Sequence, residues 1–400
     1  MKLEYLFILI ILSYSCARKD DGLYEIDPRT FIENKITLTD IADDIKYIPL
    51  DNSIPFVNFK YVLTSDFFYI SAKEIGILKF DRQGRLIKKI GNPGRGPGEF
   101  TYGIKFAVDE ITGNVFVRDR ADLTKVYSKN GTFLREISLN NKTGDIIGWS
   151  GDIEIFNSLL FFPNSLGPGN SKYAWAFLDT LGNVVALKEN SVPTFQTNAG
   201  REAHIYKFED KLFYFNYFND TVFTISTDLS YEPKYLFAKG DHRWPKTGIT
   251  TKSLAETNAQ IYKTFDPGTV FETKRFLILQ YGYLDIGATC FINKKTKETF
   301  LPIKLDESHK QYIRIRKYTS DLINDLDGGM IFKSFNYYFE DGEEYFTTLI
   351  NPPDLKFYVS SNDFTNSTPK YPEKKKALEK LANSINETDN PILVLIKLKK

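Results

Sequence analysis

The chain has 400 residues, with 52 Lys+Arg against 51 Asp+Glu and a net charge of +1. That balance excludes the broad basic field a general nucleic-acid binder needs. Three His and two Cys exclude zinc fingers and multi-disulfide frameworks, while 42% apolar content is enough for a core. The 33 Phe and 24 Tyr, set against 2 Met, favour strands, because aromatic side chains suit pleated, half-buried surfaces.

The N-terminus reads as an address. Met1-Lys2 is followed by the apolar run Leu6 to Leu12, which is too short to span a bilayer but has the length of a secretory signal core. The run ends in Ser13-Tyr14-Ser15-Cys16, which resembles the lipobox of bacterial lipoproteins, in which the cysteine carries the lipid. Tyr14 departs from the strictest form of that motif. Lys19-Asp20-Asp21 resembles the export signal of Bacteroidota lipoproteins, which implies the outer leaflet of the outer membrane. The expected organisation is a signal peptide over 1–15, a lipidated flexible tether over 16–35 and a folded body over 36–400. With Cys16 acylated, Cys290 is the only free thiol, expected to lie buried in a strand.

From residue 67 onward the chain repeats. The clearest unit runs Phe67–Ser71, Ile75–Phe80, the turn Asp81-Arg82-Gln83-Gly84, and Leu86–Ile90. Asp bonds its own backbone in such a turn and Gly accepts positive φ. Further units carry turns at Ser128–Gly131 and Asp179–Gly182, so turn starts 81, 128 and 179 lie 47 and 51 residues apart. Propeller blades recur at about 40–50 residues. A fourth unit has Leu212–Phe215 and Thr221–Ile225, and a fifth has Phe276–Leu279 and Thr289–Ile292. The sixth is read as Asp321–Asn324, Met330–Lys333 and Ile392–Leu398, with Ile45–Leu50 supplying its missing strand. The expected fold is therefore all-β: a six-bladed β-propeller of four-stranded antiparallel blades, its ring closed by the N-terminal strand joining the C-terminal blade, since closure removes exposed sheet edges. Two short helical insertions are expected, over Thr251–Phe265 and from Pro372 through Ile385.

Gly91-Asn92-Pro93-Gly94-Arg95-Gly96-Pro97-Gly98-Glu99-Phe100, Asn219–Ile225 and Asp389–Leu395, taken with the lipobox, resemble the six-bladed β-propeller lipoproteins of Bacteroidota, related in fold to NHL-repeat and TolB-like propellers. The resemblance covers about residues 40–400. It implies a propeller held at the outer membrane by its lipid anchor, near a nutrient-uptake complex and with a glycan or peptide as ligand; the leading expectation is a non-enzymatic binding or scaffold module.

The glycine-rich segment is no phosphate cradle, because neither Gly-Lys-Ser/Thr nor a helix follows it. It reads as a stiffened link between blades. Mapping the repeat onto one propeller face gathers the ligand candidates Arg95, Glu99, Arg120, Tyr217, Tyr281, Tyr283 and Tyr337. Tyrosines stack on sugar rings and arginines pair with carboxylates, which points to an acidic oligosaccharide or peptide. His204, His242 and His309 show no paired spacing, and no metal, cofactor or nucleic-acid partner is expected. The alternative is an enzyme, a hydrolase or lyase acting on a polysaccharide or peptide with carboxylates in the central funnel.

Overall fold

The turns that mark the repeat are built from their own residues. In the computed structural model of the chain, which describes residues 23–400 apart from 33, 73, 102–104, 121, 140–151, 164–171, 192–202, 217, 238–241, 243–251, 285, 303–310, 314–315, 319–321 and 333–334, the Asp81 carboxylate accepts the N–H groups of Gln83 and Arg85 at 2.9 Å each. Asp179 does the same for Leu181 and Asn183 at 2.9 and 2.8 Å. Each turn joins the third and fourth strands of a four-stranded antiparallel sheet.

Six such sheets form the propeller. With strands lettered a to d from the axis outward, blade 1 comprises Asn58–Leu63, Phe67–Ala72, Gly76–Asp81 and Leu86–Ile90. Blade 2 comprises Phe106–Val108, Val115–Arg120, Leu123–Tyr127 and Phe133–Ser138, and blade 3 Glu154–Phe156, Leu159–Pro163, Tyr173–Leu178 and Val184–Glu189. Blade 4 comprises His204–Phe208, Lys211–Phe215, Thr221–Ile225 and Tyr231–Phe237, and blade 5 Asp266–Glu272, Phe276–Tyr283, Ile286–Asn293 and Thr299–Phe300. Blade 6 takes strands a to c from Asn336–Glu340, Glu343–Ile350 and Ile392–Leu398, and strand d from Ala42–Pro49. Tyr47 lies opposite Val394 in that last antiparallel pairing.

Phe, Tyr, Ile and Leu side chains fill the gaps between blades. Most buried apolar side chains of the described residues fall into six clusters, each spanning one pair of neighbouring blades. The cluster between blades 6 and 1 joins Phe68, Ile70, Leu78 and Phe80 to Leu393 and Leu395. Fully burying one such side chain contributes roughly 1.5–3 kcal/mol. Cys290 is fully buried between blades 4 and 5, and burial pushes its thiol pKa up, so it is an inert core residue.

Helices α1 (Leu38–Ile41), α2 (Leu254–Lys263), α3 (Pro352–Val359), α4 (Asn362–Asn366) and α5 (Pro372–Ser384) decorate the ring. The two insertions read from sequence are α2 and α5. The short helices α1, α3 and α4 lack the periodic run that would have marked them. The sixth blade also differs from the reading. Of the runs read as its first strands, Asp321–Asn324 and Met330–Lys333, Asp321 and Lys333 lie outside the described residues, and in the rest Leu322 and Phe332 form only an isolated bridge; strands a and b lie at 336–340 and 343–350. Their polar alternation, Asn-Tyr-Tyr-Phe-Glu then Glu-Glu-Tyr-Phe, hid them. Among the described residues no helix is long and apolar enough to cross a membrane.

The chain preceding strand d of blade 6 is docked rather than free from residue 23 on. Tyr24–Ile26 pairs in parallel with Tyr235–Phe237, adding a fifth strand to the outer edge of blade 4. Ile32 exchanges hydrogen bonds with the Thr299 hydroxyl at 2.7 and 3.0 Å, and Leu301 N–H donates to the Asn34 carbonyl at 2.8 Å. Thr39 N–H donates to Asp325 at 2.8 Å beside blade 6. Residues 23–41 thus form a strap across the outer edges of blades 4, 5 and 6.

The d strands are clamped by the next blade's turn. Gly84 has φ 85°, and a Cβ there would lie 2.2 Å from the Pro49 carbonyl oxygen in blade 6. Gly131 and Gly182 sit in the same way on strand d of blades 1 and 2. Gly342 also has φ 77° but nothing within 4 Å. Gly84→Ala is therefore expected to cost about 1–3 kcal/mol of stability and more than Gly342→Ala, measured by urea unfolding. Equal losses from the two substitutions would mean that the blade 6 to blade 1 contact contributes nothing.

Candidate ligand-binding channel

Strand a of every blade borders the axis. Lys60 lies on strand a of blade 1, and Asp152 stands just before strand a of blade 3. These blades are not neighbours, so the 3.6 Å Lys60–Asp152 ion pair is made across the axis. Lys105, at the head of blade 2, reaches the other Asp152 oxygen at 3.6 Å. One turn of strand further along, Glu154 of blade 3 pairs with Lys207 of blade 4 at 3.0 Å. His204 opens strand a of blade 4 and sets Nε2 against the N–H and C=O of Val270 in blade 5, at 3.1 and 2.7 Å.

These groups are enclosed by protein yet wet. Lys207 keeps 46% of its side-chain surface accessible and Glu154 28%, although both lie deep in the molecule. That combination marks side chains lining an internal channel. Burial pushes the Glu154 carboxyl up, but the charges of Lys207 and Lys60 and two hydrogen bonds outweigh it and hold it below its ordinary value. The Glu154 charge in turn raises Lys207. Burial lowers His204, keeping its imidazole neutral at pH 7. Behind the channel wall, burial brings Arg118 down to about 10, still charged at pH 7, and its guanidinium lies over the Phe162 ring. Among the described residues, Lys60, Lys105 and Lys207 thus face Asp152 and Glu154, an excess of one positive charge. Such a lining attracts anions.

Those residues selected by the repeat mapping that the structure describes lie away from this channel. Arg95 is exposed on the link between blades 1 and 2, and the Glu99 carboxylate accepts the Gly96 N–H at 2.8 Å, closing that loop on itself. Arg120 lies at the b–c turn of blade 2, 58% exposed and 3.6 Å from Asp122. Tyr281 meets the edge of Phe31 at 5.3 Å and so holds the strap, while the Tyr283 hydroxyl lies 3.1 Å from His242 Nδ1. Tyr337 lies between blades 5 and 6 and donates to Glu344 at 2.9 Å, near the 341–342 turn on the opposite face. Tyr217 and Cys16 lie outside the described residues. Lys60, Lys105, Asp152, Glu154, Lys207 and His204 were missed because they lie on or just before strand a, where scattered charged side chains obscure the strand pattern. The available signal was a charged residue recurring at or just before the strand that precedes each aromatic b strand. No group of three or more metal-ligating side chains occurs among the described residues.

The sign of the Glu154 shift sets a pH test. A carboxyl held below its unfolded value contributes stability above that value, about 4.5, and loses it as pH falls through the folded one. Glu154→Gln is expected to lower the melting temperature at pH 7, with the gap to wild type closing below about pH 4.5. A gap independent of pH would show that the Glu154–Lys207 pair is electrostatically idle.

A family model described as a domain of unknown function, DUF4934, matches residues 23–397. No curated protein matches the sequence. Among solved structures, a Bacteroides fragilis protein described as exported is similar with a TM-score of 0.65 and 18% identity, over 94% of this chain and 99% of that one. A member of the DUF4221 family from Bacteroides vulgatus is similar with a TM-score of 0.50 and 12% identity, over 90% and 97%. At these identities the likeness is one of fold. By the match across nearly its whole length, the chain belongs to the DUF4934 family.

Proposed function

We propose that this protein is an exported, lipid-anchored, non-enzymatic propeller of the outer membrane that captures an acidic glycan or peptide at the lysine-lined mouth of its axial channel, on behalf of a nutrient-uptake partner. The observation that carries the reading is the placement of Lys60 and Lys105 on either side of Asp152. An incoming carboxylate or sulfate can exchange with Asp152 for two ammonium groups already held in place, and charge-assisted hydrogen bonds of that kind are roughly twice as strong as neutral ones. The likeness to an exported Bacteroides protein and the lipobox-like N-terminus support the location.

Catalysis fits the channel less well. A glycosidase needs one carboxyl kept protonated as general acid. Asp152 and Glu154 each contact lysine, and Glu154 is held on the ionised side. The described carboxyl whose pKa is raised is that of Asp327, which burial shifts, but it is fully enclosed beside Tyr47 and outside the channel.

Two measurements test the reading. Uronic-acid or sulfated oligosaccharides are expected to bind the full chain, with Lys60→Gln and Lys105→Gln each weakening binding about tenfold and neutral sugars unaffected. Equal affinity in wild type and variants would reject the channel as the site, and release of new reducing ends would replace capture by catalysis. Cys16→Ala is expected to abolish metabolic labelling by a fatty acid. A mutant that still incorporates label would refute the anchor.

A further inference from the structure

A second cation-rich site lies away from the channel. Under the start of the strap, between the lower ends of blades 4 and 5, a cleft of about 480 Å3 is lined by Leu23, Tyr24 and Tyr235 together with Lys211, Lys234, Lys294 and Lys297. Lys294 is neutralised by the buried Glu272 at 2.8 Å. Lys211, Lys234 and Lys297 have no carboxylate within ion-pair distance among the described residues, and the single acid in the lining is Glu232. Lys297 is held in place by its bond to the Lys294 carbonyl at 2.7 Å and by the Tyr24 ring, 4.5 Å from its Nζ. Three lysines without a carboxylate partner among the described residues thus line one cleft together with apolar Leu277 and Ile292, a lining that suits a compact anion attached to an apolar body.

The position of the cleft narrows the choice of anion. Leu23 forms part of its rim, and Cys16 stands seven residues earlier. Fully extended, that segment spans at most about 25 Å. An acylated Cys16 therefore keeps the cleft within reach of the membrane surface, where lipid phosphates are the abundant anions.

We propose that this cleft binds the phosphate of an anionic lipid headgroup, so that Lys211, Lys234 and Lys297 seat blades 4 and 5 on the membrane beside the anchor. The placement rests on the reading that Cys16 is lipidated, whereas the cleft's preference for phosphate does not. A free phosphate would offer the same chemistry, and the test separates the two sources. The full chain, extracted in neutral detergent, is titrated with water-soluble dihexanoyl phosphatidylglycerol, dihexanoyl phosphatidylcholine and inorganic phosphate. The expected result is binding of phosphatidylglycerol at least tenfold tighter than of the other two. The triple variant Lys211→Gln, Lys234→Gln, Lys297→Gln is expected to weaken it at least tenfold while leaving the melting temperature and the binding of acidic oligosaccharides unchanged. Inorganic phosphate binding as tightly as the lipid would overturn the headgroup assignment. Phosphatidylglycerol binding that is absent, or indifferent to the triple variant, would overturn the site. Failure of fatty-acid labelling at Cys16 is read separately and removes the anchor while leaving the titration result standing.

Discussion

The ladder between Ala42–Pro49 and Ile392–Leu398 is the constraint on which the rest of the molecule depends. Each blade buries one face against the next, so an array of blades is stable only if the first also finds a partner. Here strand d of blade 6 comes from the beginning of the chain, and blade 1 then packs its Phe68 and Phe80 against Leu393 and Leu395. The axial channel exists because the ring is complete. Lys60 and Asp152 sit on blades that approach each other only when all six are in place. Loss of the ladder would therefore remove the candidate site and the fold together.

Closure also explains where the other elements went. Strand d of each blade faces outward with an unpaired edge. Blade 4 is covered by Tyr24–Ile26, and blade 5 by Ile32 and Asn34. Blade 6 is covered by the segment around Asp325 and by α5, whose Lys374 bonds Asp44. Blades 1 to 3 rely instead on short, charged outer strands such as Leu86–Ile90 with Lys88 and Lys89 exposed, a common way of discouraging edge-to-edge association. The strap packs Phe31 on Tyr281, and Tyr283 bonds His242, so these two tyrosines, which look like a sugar platform in the sequence, are engaged with other side chains in the fold.

Much of the architecture was legible because the third and fourth strands and their turns are governed by local chemistry. Asp81, Gly84, Asp179 and Gly182 announce themselves by residue type, and their spacing gives the blade period. Strands b and c carry the aromatic runs that fill the gaps between blades. Strand a was nearly invisible. Two of its members, Phe106–Val108 and Glu154–Phe156, are only three residues long, and others, such as His204–Phe208, mix charged and apolar side chains without a clean alternation. The channel residues lie on or beside that least legible element, so the site eluded a reading that recovered the ring. Pairs such as Lys60–Asp152 join residues 92 positions apart and exist only through the curvature of the whole assembly. The tether was misjudged at its far end for a related reason: the alternation in Tyr24-Glu25-Ile26 is too brief to register as a strand.

The parallel pairing of Tyr24–Ile26 with Tyr235–Phe237 has a mechanical meaning. A pull at Leu23 along the strand axis loads the backbone bonds of that pairing together, in shear, rather than opening them one after another like a zipper. The fully buried Ile26 stands directly behind as a second stop. Drag on the propeller would thus be met first at the rim of blade 4 and shared with blades 5 and 6 through the strap, while the ladder that closes the ring stays unloaded.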